Sequence, residues 1–359
     1  MACYPHASTG FNVAWLIKML CTGRPYQTPS IGRRPRANRK VKASQESFGL
    51  TDVTPSRILV AAAAGSLAVL QRASEAFVHQ DLIYDVGMNN GDDTAYYLRR
   101  GFRVVAIEAN TCLAKCAAER FRTQISSDQL RILNIGIAGE EGELPFWICE
   151  TYSEWSSFDR KIASRDGCPH HEVMVPCRRF ASVLEEFGVP YYLKVDIEGN
   201  DILCLQDLNP QRLPKFVSME SASPDLITLM AGRGFKRFKA ISQYSFLPIE
   251  LPPSPEQRRY ERVQWMLQTR NPLIRAFRLF GGRGWLNRQL NRSRKHADWT
   301  FPFGSSGPFG EDLPGRWLDH DELITTLKHL LEFKEQKRSS PFWHEQEYSF
   351  WVDVHGRVD

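Results

Sequence analysis

Residues 81–94 read DLIYDVGMNNGDDT, and the reading of this stretch decides the fold. Leu82 to Val86 form a short apolar, β-rich run, Gly87 and Gly91 bracket a turn, and Asp92 or Asp93 stands where a helix takes its N-cap. Outward from it the same alternation repeats. The runs FRVVAIE (102–108), LRILNIGI (130–137), YYLKVDI (191–197) and FVSME (216–220) are separated by helical stretches. TAYYLRRG ends in Gly101 as a helix C-terminus would, CLAKCAAERFRT has sheet-packing spacing, and DLITLMAGRGF stops at glycine. Strands alternating with helices specify an α/β fold with a parallel sheet covered on both faces. FKAISQYSFLPIEL (238–251) reads as a closing hairpin, so the sheet domain is placed at 51–250.

The proline cluster LPPSPEQ marks the end of that domain. Residues 251–359 form an extension expected to pack on the core. It holds an amphipathic helix from Arg258 to Phe280, a Gly/Pro loop FPFGSSGPFGEDLPG, and a helix DELITTLKHLLEFKEQK with Leu323, Ile324, Leu327, Leu330 and Leu331 on one face.

Charge separates the two ends of the chain. The net charge of +5 over 359 residues arises in the leader: residues 1–45 hold eight Lys or Arg and no acid, leaving 38 basic and 41 acidic residues beyond, a net −3. Nucleic-acid binding is therefore discounted. Residues 1–50 read as a disordered basic arm, and the expected location is the cytoplasm; the alternative is an organellar transit peptide, since the leader is Arg-rich and acid-free. The longest apolar run, Ile58–Leu70, is shorter than the roughly 20 residues that span a bilayer and reads as a buried helix. Eight scattered cysteines fit reduced thiols better than a disulfide framework.

The loop after the first strand is the expected ligand cradle, because nucleotide-type ligands sit beyond the carboxyl ends of parallel strands. A dinucleotide loop offers G-x-G-x-x-G to a pyrophosphate, whereas this one carries Asp85, Asp92 and Asp93. Three carboxylates repel a diphosphate. They suit S-adenosylmethionine, which carries an ammonium and a sulfonium and no phosphate. Glu108 ends the next strand, about twenty residues on, where a carboxylate accepts from both ribose hydroxyls. The plain alternative is that Asp85 and Glu108 are caps or surface charges.

DVGMNNG, VVAIEAN, ILNIGIAGEEGELPFW and YLKVDIEGNDILCLQDL, in this order over residues 80–222, resemble the FkbM-type methyltransferases. The resemblance implies a Rossmann-like class I methyltransferase fold, with seven strands mostly parallel and the last antiparallel. It also implies S-adenosylmethionine as cofactor and O-methylation of a hydroxyl on a sugar, glycan or secondary metabolite. Carried over position by position, Asp85, Gly87, Asn89, Gly91 and Glu108 would bind the cofactor, with Asn134 and Ile135 near its adenine. Met88 departs from the small residue common at its place, a local effect on the loop.

For the chemistry, KVDIEGND sets Asp196 and Glu198 at a strand's carboxyl end, two apart and so on one face, with Glu220 one strand over. One of the pair would be the general base or hold the acceptor hydroxyl; the bland reading is helix capping. A divalent cation there would lower the hydroxyl pKa, though nothing in the pattern requires one. CPHHEVMVPC holds Cys168, His170, His171 and Cys177 at a spacing that fits no common zinc module, and His171 is assigned instead to the acceptor pocket as a base. Cys112 and Cys116 read as small buried residues. TYSEWSSF would lie over the acceptor, with Tyr152 and Trp155 stacking on a sugar ring or simply packing. The Arg-rich stretch after Arg258 has a solvated helix face as its default and an anionic acceptor, a lipid surface or an acidic partner as alternatives. Two other functions fit the pattern less closely: a non-catalytic module of the same fold, and a Rossmann-type nucleotide or nucleotide-sugar enzyme. The acceptor, the choice among O-, N- and C-methylation and the oligomeric state are not encoded legibly.

Overall fold

The structure, a computed structural model, describes residues 78–335, 337–344 and 351–359. The basic leader and the run Ile58–Leu70 lie outside the described residues.

Seven strands make the central sheet: β1 (Val78–Val86), β2 (Arg103–Ile107), β3 (Leu130–Leu133), β4 (Val189–Val195), β5 (Phe216–Glu220), β6 (Arg237–Ser242) and β7 (Val352–Arg357). Their order is β3-β2-β1-β4-β5-β7-β6. β1 to β5 run parallel to one another, and β7 is antiparallel to both β5 and β6. Strand order reverses between β1 and β4, and the ligand crevice of an open α/β sheet lies there.

Alternation along the strands builds two cores. Leu82, Tyr84 and Val86 of β1 face one side with Leu193, Val195, Val217, Met219 and Val354. They meet α3 (Phe180–Phe187), α4 (Asp201–Gln206), α5 (Pro224–Arg233) and α9 (His320–Lys334). Ile83, Val104, Ala106, Tyr192 and Phe216 face the other side, against α1 (Asp92–Arg99) and α2 (Thr111–Arg120), together with Phe301 and Phe309 of the extension. The Phe309 ring stacks on Tyr192 at 4.5 Å and 6°. Each such fully buried aromatic contributes about 1.5–3 kcal/mol. α9 carries a full capping box between Asp319 and Glu322, and its buried Leu323, Leu327 and Leu330 are the apolar stripe read from sequence.

Several sequence expectations are corrected. FKAISQYSFLPIEL does fold back on β6, through an Ile241–Pro248 bridge, but the strand that closes the sheet on β6 is β7, from beyond residue 250. LRILNIGI is two strands: after β3 the chain leaves the sheet at Asn134, and Gly136–Ile137 joins a small three-stranded sheet with Gly142–Cys149 and His170–Arg178. The helix expected from Arg258 to Phe280 breaks at Thr269–Asn271, because Pro272 cannot continue it and instead opens a new helix capped by Asn271. The N-cap of α1 is Gly91 in the left-handed region, and Asp92 and Asp93 fall in the first turn. Cys112 is exposed, since it sits on the outward face of α2.

Candidate functional site

β1 ends in Asp85 and Val86, and the chain then turns at Gly87 with φ 83°. The amides of Gly87 and Met88 both donate to the carbonyl of Ile107 at 3.0 Å, which joins the turn to the end of β2. A Cβ on Gly87 would lie 1.8 Å from the carbonyl oxygen of Asp196, so only glycine lets the loops after β1 and β4 touch. Gly91, φ 80°, is packed against the Phe121 ring in the same way.

Glu108 follows β2 and is 8% exposed. Its Oε2 accepts the amide of Asn89 at 2.7 Å and its Oε1 that of Asn110 at 2.8 Å. Burial pushes its pKa up to about 7 against the pull of these donors and of Lys194. Each oxygen keeps a lone pair for a ligand.

These residues line a cleft at the strand-order reversal, closed by Leu113, Ile135, Phe146 and Phe158 and by the segment Ser153–Ser156. Ser153 Oγ donates to Asn89 Oδ1 at 3.0 Å, and Ser157 Oγ donates to the Glu198 carbonyl at 2.6 Å, so TYSEWSSF spans the cleft from the β1 loop to the β4 loop. Tyr152 and Trp155 pack against each other, centroids 4.5 Å apart and tilted by 44°, and do not line the cleft. The side chains lining it include four carboxylates, Glu108, Glu154, Asp196 and Glu198, and among the described residues no Lys, Arg or His.

Asp196 and Glu198 lie after β4. Burial raises the Asp196 pKa, opposed by Lys194 and reinforced by Asp201 and Asp85. Glu198 has φ 49° and pairs with Arg165 at 3.1 Å; burial brings its pKa up to about 7 in spite of that partner. Glu220 is exposed at the end of β5, opposite Asp353 of β7. It does not line the cleft.

Asp85 is fully buried behind the turn. Its Oδ2 accepts from Thr94 Oγ1 at 2.6 Å and its Oδ1 lies 3.2 Å from Lys194 Nζ. Lys194, which the sequence places in KVDIEGND with Asp196 and Glu198 at the strand's carboxyl end, was assigned no role there. Its ammonium donates to the Gly87 carbonyl at 2.9 Å and lies 3.8 Å from Asp196 and 4.0 Å from Asp93. Burial works against its charge, but Asp85, Asp196 and Asp93 outweigh burial and hold the pKa above the ordinary lysine value. Its role appears only with the fold, in which Lys194 is the register partner of Asp85. Asp93 is locked from the other side by the Ser306 amide at 2.9 Å and 3.0 Å to its two oxygens, so the extension buttresses the same cluster.

Of the predicted residues, Gly87, Asn89, Glu108, Ile135, Asp196 and Glu198 come together around the cleft. Asp85 and Gly91 shape the loop from behind. Asn134 donates to the carbonyls of Glu108 at 2.8 Å and Ala109 at 3.3 Å, fixing the backbone beneath Glu108. His171 is not brought there: it is exposed on the small sheet and pairs with Glu150 at 3.0 Å. Sequence adjacency to His170 says nothing of this, because neighbouring residues on a strand point to opposite faces. Among the described residues no three His, Cys, Asp or Glu side chains are grouped to hold a metal ion.

Residues 85–236 match the family model described as the methyltransferase FkbM domain. They are an FkbM methyltransferase domain. The FkbM domain opens on Asp85 and takes in the glycine turn, Glu108, Asp196 and Glu198; β7, which completes its sheet, lies outside the matched residues. Among curated proteins none matches the chain significantly.

Proposed function

We propose that the cleft binds S-adenosylmethionine and that the chain transfers its methyl group to a hydroxyl of a sugar, glycan or secondary metabolite. The observation that carries this reading is the charge of the lining: four carboxylates and no cation suit a ligand with two positive charges and no phosphate, and repel a dinucleotide. Glu108 would accept from the ribose hydroxyls, Ile135 and Phe158 would flank the adenine, and the Gly87 turn would let the methionine portion approach the backbone. When bound, the cofactor supplies an electrophilic methyl on a sulfonium.

The chain's own residues do the rest. Asp196 would take the acceptor hydroxyl's proton and Glu198, once ionised, would hold that hydroxyl in line, while the cofactor would depart as a neutral thioether. The segment Ser153–Ser156 and Phe158 keep water from the reacting carbon. Titration calorimetry with S-adenosylmethionine, S-adenosylhomocysteine and NAD tests the reading. Binding of the first two without NAD supports it, and tight binding of NAD alone overturns it.

A further inference from the structure

We infer that the extension carries a peripheral membrane-docking tip that seats on an anionic lipid bilayer. Residues 262–297 hold nine Lys or Arg and no Asp or Glu, whereas the remaining residues beyond the leader hold 29 basic and 41 acidic side chains. They fold as the end of α6 (Pro255–Gln268), α7 (Pro272–Phe277), a π-helical turn Arg278–Gly282, and α8 (Arg283–Leu290). Three apolar side chains of α7 and the turn point outward: Phe280 is 90% exposed, Leu273 80% and Leu279 76%. Exposed apolar side chains at one built turn need a partner.

The turn is a fixed feature of the fold. The Arg278 guanidinium donates to the carbonyls of Met266 at 3.0 Å and Thr269 at 2.7 Å, and Phe277 packs over Gly282 and edge-on to Trp285 at 6.3 Å. Arg278 thereby spends its charge inside the tip. Arg270, Arg275, Arg283 and Arg288 remain exposed around it.

Exposed apolar side chains on a segment rich in exposed arginines match a bilayer surface in both respects: the apolar groups enter the acyl boundary and the cations meet anionic headgroups. A protein partner would have to be acidic and apolar at one spot; a nucleic acid would leave Phe280, Leu279 and Leu273 in water. Among the described residues no helix is long and apolar enough to cross a membrane, so the association is with the surface. This goes beyond the cleft chemistry and does not depend on it.

The full chain should co-sediment with phosphatidylcholine vesicles containing about 30 mol % phosphatidylserine, and at least about tenfold less with phosphatidylcholine alone or in about 0.5 M salt. The double variant Leu279→Ser, Phe280→Ser and the double variant Arg275→Glu, Arg283→Glu should each lose about tenfold or more in partitioning. Both change exposed positions, and an unchanged melting temperature establishes that they fold. Absence of vesicle binding by the parent overturns the inference. So does equal binding by the parent and both variants, which would assign the lipid to the leader. Retention on an RNA homopolymer or dimerisation through the tip, with no vesicle binding, overturns it as well.

Discussion

The α-carbon of Gly87 faces the carbonyl of Asp196 so closely that a methyl group there would stand 1.8 Å from the oxygen. Gly87→Ala therefore has to part the loops after β1 and β4, in addition to holding alanine at φ 83°. We expect a cost of about 2 kcal/mol or more, a melting temperature lower by about 5 °C or more, and loss of S-adenosylmethionine binding. Unchanged values in scanning fluorimetry and calorimetry would mean the two loops are not apposed.

Glu108→Gln preserves shape but offers an amide where two backbone amides now donate. One of them, from Asn89 or Asn110, loses its acceptor, and the ribose proposed to sit there would lose a charged one. Cofactor affinity should fall about 10- to 100-fold. Parent-like affinity would remove Glu108 from the binding site.

Asp196→Asn should leave cofactor affinity within a few-fold of the parent and lower turnover about 100-fold or more once an acceptor is found, since the amide cannot take a proton. Equal loss of both would make Asp196 a part of the binding pocket rather than of the chemistry.

The raised carboxyls of Glu108 and Glu198 give pH dependence of opposite sign in two measurements. Both stand near 7 against an ordinary 4.5, so the folded chain binds protons that the unfolded chain has released. Their contribution to stability is greatest below about pH 4.5 and is lost as pH rises to about 7. Melting temperature should fall over that window from these groups, with a shallower slope in Glu108→Gln. Turnover should rise through about pH 7 as Glu198 ionises, and Glu198→Gln should abolish that limb.

Lys194→Met removes the one buried cation placed among Asp85, Asp93 and Asp196. Leaving those charges unpaired costs about 3–5 kcal/mol, enough to reduce soluble yield sharply. Adding Asp85→Asn should restore part of the melting temperature; no recovery would mean that Lys194 acts chiefly through the Gly87 carbonyl.

The parallel strands and the glycine turn were legible because their signals are local. LIYDV, FRVVAIE, YYLKVDI and FVSME fall within β1, β2, β4 and β5 or their immediate ends, and DVGMNNG carries its own turn chemistry. The places of Glu108 and Asp196 on the cleft were readable for the same reason: each sits at a strand end that sequence defines. The Lys194 cluster was harder, since its meaning depends on register with Asp85 and on Ser306 arriving from more than two hundred residues away. His171 misled because a histidine's type is visible in sequence and its facing is not. β7 was missed because nothing near Val352 announces that it pairs with β5 and β6.

The place of β7 bears on how the chain is made. β5 and β6 have β7 as their common neighbour, so until residues 352–357 emerge from the ribosome each waits with an unpaired backbone edge. Closure joins segments more than a hundred residues apart, which slows the last step and exposes those edges to other chains. A nascent or truncated chain lacking this one strand would still possess the whole glycine turn and Glu108, yet behave as an adhesive intermediate.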